Sequence, residues 1–319
     1  MITVTSFPTP ALAVRTSDGA ELDRVRGFAR DQAAAADTVR EQLLLDWSRC
    51  RSLHARLAAL RRAHADVMRW RYEQARRAPR RLGEGLRHDP ERFRMPLAQG
   101  GPNTDRLGPS GRLRAVATWD PELQVYRGGT PTPASEILEA YGKLALARFG
   151  EQWLPDDDVL LNVVSVPGSR RLLAGNRLVR GRAAQRIAAE LVARVAARGR
   201  DTNTMEVGGN PVYIVTADPV ADDALFGIGL LLLAHAADPA EPAEPRTARV
   251  RAWQHARYLL YQAPRTKKGS DATTRTFLVA VGAALTGTAP VLEQDVDLRC
   301  MVLGQCAATV MPADESLFR

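Results

Sequence analysis

Lysine is nearly absent from this chain: of its 44 basic residues only Lys143, Lys267 and Lys268 are lysine, and two of those stand side by side. Cysteine is as scarce. Cys50, Cys300 and Cys306 are too few and too irregularly spaced for a disulfide framework, and no CxxC pair or histidine cluster has metal-ligand spacing. Buried free thiols are the expectation, and no metal site is expected. Long apolar runs are missing too; the longest, "IGLLLLAHAA" from Ile228 to Ala237, carries a histidine and suits a buried helix better than a membrane span. The first residues, "MITVTSFPTPALAVRTSDGAELDR", lack the basic start and continuous apolar core of a secretory signal, so no membrane role and a cytoplasmic location are expected. Several catalytic signatures are also missing. There is no P-loop, no Gly-x-Gly-x-x-Gly after a strand pattern, no Gly-x-Ser-x-Gly and no His-Glu-x-x-His.

What is present suffices for a folded protein: 319 residues, 45% hydrophobic, can build a sizeable core. The formal charge of +8 is localised. From Arg49 to Arg81 there are eleven arginines against Asp66 and Glu73, which leaves the rest of the chain close to neutral. Such a stripe is either a solvated helix face or a surface for an acidic protein or nucleic acid.

Residues 21–77 read as helix in two segments broken near Ala36 and Asp37, with Leu43, Trp47, Cys50, Leu53, Leu57, Leu60, His64 and Val67 on one stripe at spacings of three and four. Pro79 ends this pattern. An aperiodic Pro- and Gly-rich stretch follows to about Gly111 and suggests a connector, dividing the chain into a helical region at 1–98 and an α+β domain at 99–319. "LRAVATW" and "LQVYRGG" around "DPE" predict a hairpin. "SEILEAYGKLALARF" predicts a helix capped by Ser135, "DDDVLLNVVSV" a strand, and "GRAAQRIAAELVARVAARG" an amphipathic helix. "GGNPVYIVTADP" predicts a turn and short strand; helix dominates after Ala221, and the period of "VDLRCMVLGQCAATVM" leaves strand or helix open. The fold class expected is mostly helical α+β with a long N-terminal helical hairpin and short strands.

The lysine pair falls in "APRTKKGSDATTRTF", Ala263 to Phe277, inside an expected helix-loop-helix at 246–287. Pro264 disfavours helix at Ala263, Gly269 supplies flexibility, and Ser270, Asp271, Thr273 and Thr274 suit a helix start. Backbone amides and the positive end of a helix dipole favour an anion there, and Arg265, Lys267 and Lys268 add mobile cations with Arg275 one turn inside. The expected ligand is a phosphate-bearing small molecule held by Arg265, Lys267, Lys268, Gly269, Ser270, Thr273 and Arg275, with Asp271 or Tyr261 handling a proton. No specific cofactor follows from the residues. His54 and His64, and His235 with His255, are further histidines of interest, each expected to be structural.

"GSDATTR" resembles the end of the Fic/Doc motif at Gly269 and Arg275, with a "NPVYIVTA" segment similar to the family's flap; the resemblance covers Asn210 to Gly287. It implies a phosphate or nucleotide pocket. Pro264, Lys268, Asp271 and Ala272 stand where the family has its histidine base, its acidic magnesium residue, its second glycine and its first arginine, so the family's nucleotidyl transfer is not implied. The expectation is a transferase or lyase on a nucleotide-like substrate. The alternative is an interaction protein using the arginine stripe. A third reading starts from "VYRGG", which resembles the first element of ADP-ribosyltransferase toxins and implies a cofactor-gripping role for Arg127, although no Glu-x-Glu or Gln-x-Glu pair accompanies it.

Overall fold

A computed structural model describes residues 1–9, 19–78, 89–151, 157–238 and 246–318. The fold is α+β and mostly helical. Helix α1 (Gly19–Arg49) runs unbroken through Ala36 and Asp37, contrary to the expected interruption there. Ala36 is fully buried in the core, and Asp37 is engaged by Arg40 one turn on, Nε to Oδ1 3.0 Å, so neither residue ends the helix. The break comes at Cys50–Ser52, where the Ser52 hydroxyl accepts the Ala55 N–H and caps α2 (Leu53–Arg77). The apolar stripe is therefore shared by two helices folded against each other: Leu43 and Trp47 on α1, Leu60, His64 and Val67 on α2 are all buried.

That hairpin shares one apolar core with α6 (Pro219–Ala236), α7 (Arg246–Gln262) and α8 (Ser270–Thr286). His64 is a core residue here, edge-on to Phe226 and Phe277 with ring centroids 4.8 and 5.3 Å away, and burial lowers its pKa to about 3. His54 and His235 are exposed. Among the described residues, α6 alone is long and apolar enough to cross a membrane, but Leu225, Leu230 and Leu233 are fully buried in the shared core.

The main sheet is antiparallel, of order β1-β6-β5-β4: β1 (Thr104–Leu107), β4 (Val159–Ser165), β5 (Leu172–Val179) and β6 (Val212–Val215). One face packs on α4 (Pro133–Gly150) through Leu138, Tyr141, Ala145 and Phe149, the other on α5 (Gly181–Ala196) through Ala184 and Ala188. Covered on both faces, all four residues of β6 are buried; β4, at the edge, alternates in and out. The cap of α4 is Thr132 rather than Ser135, which is the reciprocal partner of a capping box. The expected hairpin is the two-stranded ribbon β2 (Thr118–Asp120) and β3 (Val125–Arg127).

The open stretch near the C-terminus is helix, α9 (Val296–Val302) and α10 (Gln305–Thr309). Side-chain amides decide where it sits. Asn162 and Asn176 both donate to the carbonyl of Met301, at 2.9 and 2.8 Å, and Gln262 donates to that of Cys300, so the last turn of α9 is hydrogen-bonded to the sheet and to α7. The C-terminal turn is held by Asp314, which receives Arg257 on both oxygens inside the core.

A candidate anion-binding cleft

The stretch read as a connector contains a wall. After a short 3-10 turn at Pro90–Phe93 and a single helical turn, α3 (Leu97–Gly100), strand β1 adds to the sheet. The loop between α7 and α8 is stitched to this wall by backbone and side-chain bonds. Lys267 N–H donates to Met95 O (3.1 Å), Lys268 N–H to Arg92 O (3.0 Å), and the Asn103 amide to Thr266 O (3.0 Å). Gly269 then takes the left-handed conformation, φ +76°, with the Phe93 ring where a side chain would stand, and α8 begins at Ser270. The Thr273 amide, on Gly269 O, is the first of α8 to reach back along the helix; among the described residues the amides of Ser270, Asp271 and Ala272 have no hydrogen-bond partner.

Against this loop opens a cleft of about 410 Å³. One end gathers cations from three places: Arg92 from the wall, Arg194, Arg198 and Arg200 from the end of α5 and beyond, and Lys267 with Lys268 from the loop. Among the described residues, Arg92, Arg194, Arg198 and Arg200 form no ion pair with a carboxylate; the acids felt by this group are Asp89, which acts on Arg92 more than Asp105 does, and Asp105 on β1, which also acts on Lys267. The crowding registers on its members. Burial, then Arg92 and Arg194, bring the Lys267 ammonium down to about 8. Burial, then Arg198 and Arg200, lower Arg92. Asp105 opens into the cleft, yet the protein around it strips enough water to raise its carboxyl despite Lys267, Arg112 and Arg92 nearby.

The other end carries carboxylates. Asp271 receives Arg275 Nε on both oxygens, 2.8 and 3.0 Å, and the Tyr261 hydroxyl at 3.2 Å. Asp297, from the first turn of α9, lies 3.8 Å from Arg275 Nη2. Burial and then the Asp271 charge push Asp297 up to about 7. Burial also raises the Tyr261 phenol, with Asp271 adding to it.

The residues expected at the site divide. Tyr261, Lys267, Lys268, Gly269, Ser270 and Asp271 line the cleft. Lys267 also fastens the wall, its ammonium donating to the carbonyls of Gly101 and Pro102 at 2.9 Å each, while Ser270 Oγ is tied to Thr266 O at 2.9 Å. Lys268 Nζ lies 5.9 Å from the centre of the Phe93 ring. Arg265 turns away to α6, bonded to Asp222 and Asp223 and stacked over Phe226, because α6 offers it two carboxylates. Thr273 is buried in α8 and does not line the cleft. Arg275 is 1% exposed and spends its donors on Asp271 and on the carbonyls of Glu293 and Gln294, so it neutralises carboxylates rather than facing the cation end. Burial opposes its charge, but Asp271, Tyr261 and Asp297 outweigh that and raise its pKa. Arg127, exposed on the ribbon, pairs with Asp120 at 2.8 Å.

Sequence reasoning missed Arg92, Arg194, Arg198, Arg200, Asp105 and Asp297. Arginines at the end of a helix satisfy its dipole anyway, which hid the α5 group among ordinary C-terminal charges. Much of the arginine stripe on α2 has internal partners. Arg56 is buried on Ala234 O and Asp238, Arg71 stacks 4.3 Å over Phe93, and Arg62, Arg69 and Arg76 pair with Asp46, Asp66 and Glu73. Arg49, Arg51, Arg61 and Arg77 remain exposed; Arg80 and Arg81 lie outside the described residues.

Among the described residues no three His, Cys, Asp or Glu side chains converge as a metal site. A second, smaller cleft of about 350 Å³ lies beside the ribbon, but its Glu206 already accepts from Ser110, Gly111, Arg112 and Tyr126. No family model matches the sequence, and no curated protein resembles it closely enough to count as a relative.

Proposed function

We propose that the chain is an enzyme that binds a phosphate-bearing, nucleotide-like small molecule in the cleft between the α7–α8 loop and the wall at 89–105, and acts on it as a transferase or lyase. The observation that carries the reading is the crowding of Arg92, Arg194, Arg198, Arg200 and Lys267 around one cavity, with Asp89 and Asp105 as the acids acting on the cation group. Like charges held together in a partly desolvated space repel, and a bound polyanion reverses the sign of that interaction. The free amides of Ser270 and Asp271, opening α8, sit on the same cleft and add to it. The free thiols Cys50, Cys300 and Cys306 suit the reducing cytoplasm, where we place this activity.

A thermal-shift panel of pyrophosphate, nucleotides, coenzymes and sugar phosphates tests it, on the wild type and on Arg194→Ala with Arg198→Ala. The expected result is stabilisation by at least one phosphate compound that the double variant loses while its unliganded melting temperature is kept. A wild type indifferent to every phosphate compound rejects the reading.

A further inference from the structure

The two carboxylates at the inner end of the cleft are held differently. Arg275 is the guanidinium between them, and each of its nitrogens already donates elsewhere: Nε to Asp271, Nη1 to Glu293 O, Nη2 to Gln294 O. Asp271 has in addition the Tyr261 hydroxyl. Asp297 has the backbone amides of Leu298 and of its own residue but only a distant approach from the same guanidinium, 3.8 Å, and its side chain is 14% exposed on the cleft wall. The charged groups around it are Asp271 and Arg275 from α8, Tyr261 from α7, Tyr141 from α4 and Cys300 from its own helix. With Tyr141, Tyr261 and Cys300 neutral, one guanidinium faces two acids, and the second negative charge has no compensating cation in this ring.

We propose that Asp297 is the proton-exchanging group of the cleft, with Asp271 held beside it by Arg275 and Tyr261, so that the cleft's chemistry includes proton transfer between Asp297 and an oxygen or nitrogen of the bound ligand. In the donating direction the proton leaves an Asp297 carboxyl oxygen for the ligand atom, and the carboxylate that remains keeps the amides of Leu298 and of its own residue; the reverse step restores the acid. Two carboxyl groups set apart by their surroundings are the usual basis for dividing acid and base roles. This division rests on the cleft being the ligand site, as proposed above. It moves proton handling from Asp271 and Tyr261, the residues the sequence suggested, to a residue on α9. Burial supports it, since Asp297 is pushed up to about 7.

The test is a side-chain carboxyl ¹³C titration of the full chain without ligand and again with pyrophosphate, binding being read separately by calorimetry. The Asp297 signal is assigned by its absence in Asp297→Asn, or through bonds to its own backbone in the wild type if that variant does not fold. The expected midpoint lies between 6 and 8 without ligand and moves upward when pyrophosphate binds, because a nearby anion favours the protonated acid. A ligand-free midpoint outside that window overturns the proposal, as does pyrophosphate that binds without moving it. If no phosphate compound binds, the cleft reading fails instead, and the ligand-free titration still decides the state of Asp297.

Discussion

Lys267 occupies the space that a side chain on Gly100 would fill. A Cβ on Gly100 would lie 2.6 Å from Lys267 Cδ and 2.8 Å from its Cγ, while the ammonium beyond is tied to the next two carbonyls of the wall. Gly100→Ala is therefore expected to push the lysine stem aside and weaken pyrophosphate binding about tenfold, as loss of one charge-assisted contact of about 1.4 kcal/mol does. In Lys267→Ala the lysine stem is gone, leaving Met95 Sδ at 3.1 Å from the added Cβ. Adding Gly100→Ala to it is expected to have little further effect, and calorimetry on the four members of the cycle checks this; additive losses would show that the two residues act separately.

The lowered Lys267 pKa has a signed consequence. Between about 8 and its unfolded value near 10.5, the unfolded chain holds a proton that the folded chain has released, so this lysine's contribution to stability rises with pH across that window. Relative to Lys267→Met, the unliganded wild type is expected to gain stability from pH 8 to 10. Binding runs the other way: pyrophosphate affinity is expected to decline as pH passes through about 8 and the ammonium is lost. Urea melts and calorimetry at stepped pH measure both.

Gly269 combines φ +76° with the Phe93 ring 2.6 Å from where its Cβ would be. Gly269→Ala is expected to lower stability by about 1–2 kcal/mol from the left-handed backbone alone, with the displaced ring adding to it. Because Phe93 also lies under Arg71 and near Lys268, the variant is expected to weaken anion binding as well. Equilibrium unfolding with unchanged stability would remove the conformational argument.

Asp314 is 1% exposed and accepts from Arg257, Gln254 and the Met311 amide. Asp314→Ala leaves a fully buried guanidinium without its carboxylate and is expected to cost about 3–5 kcal/mol in urea unfolding. Arg257→Met with Asp314→Leu is expected to recover part of that loss, since it removes both charges together.

Local rules made the loop legible. Pro264, Gly269 and the cap-forming residues after it are enough to end one helix and begin another, and that is where α7 stops and α8 starts. The helical hairpin was legible from its apolar period, but its break was misplaced, because Asp37 looks like a turn residue until its partners, the Ile2 amide and the Arg40 side chain, are known. Strand β1 was invisible because "TDRL" has no alternation and earns its place through pairing with β6. The fate of Arg275 was within reach: Asp271 stands four residues before it, the spacing of a helical ion pair. Asp297 was not, since nothing near it in sequence says that the first turn of α9 comes within reach of Arg275.

The cleft's walls come from 89–105, the end of α5, the turn after α7 and the start of α9, stretches distant from one another along the chain. A molecule seated among them would act as a crosslink. Its occupancy would then be felt as resistance of the entire polypeptide to denaturant and protease, growing with the logarithm of its concentration, and not as the stiffening of a single segment.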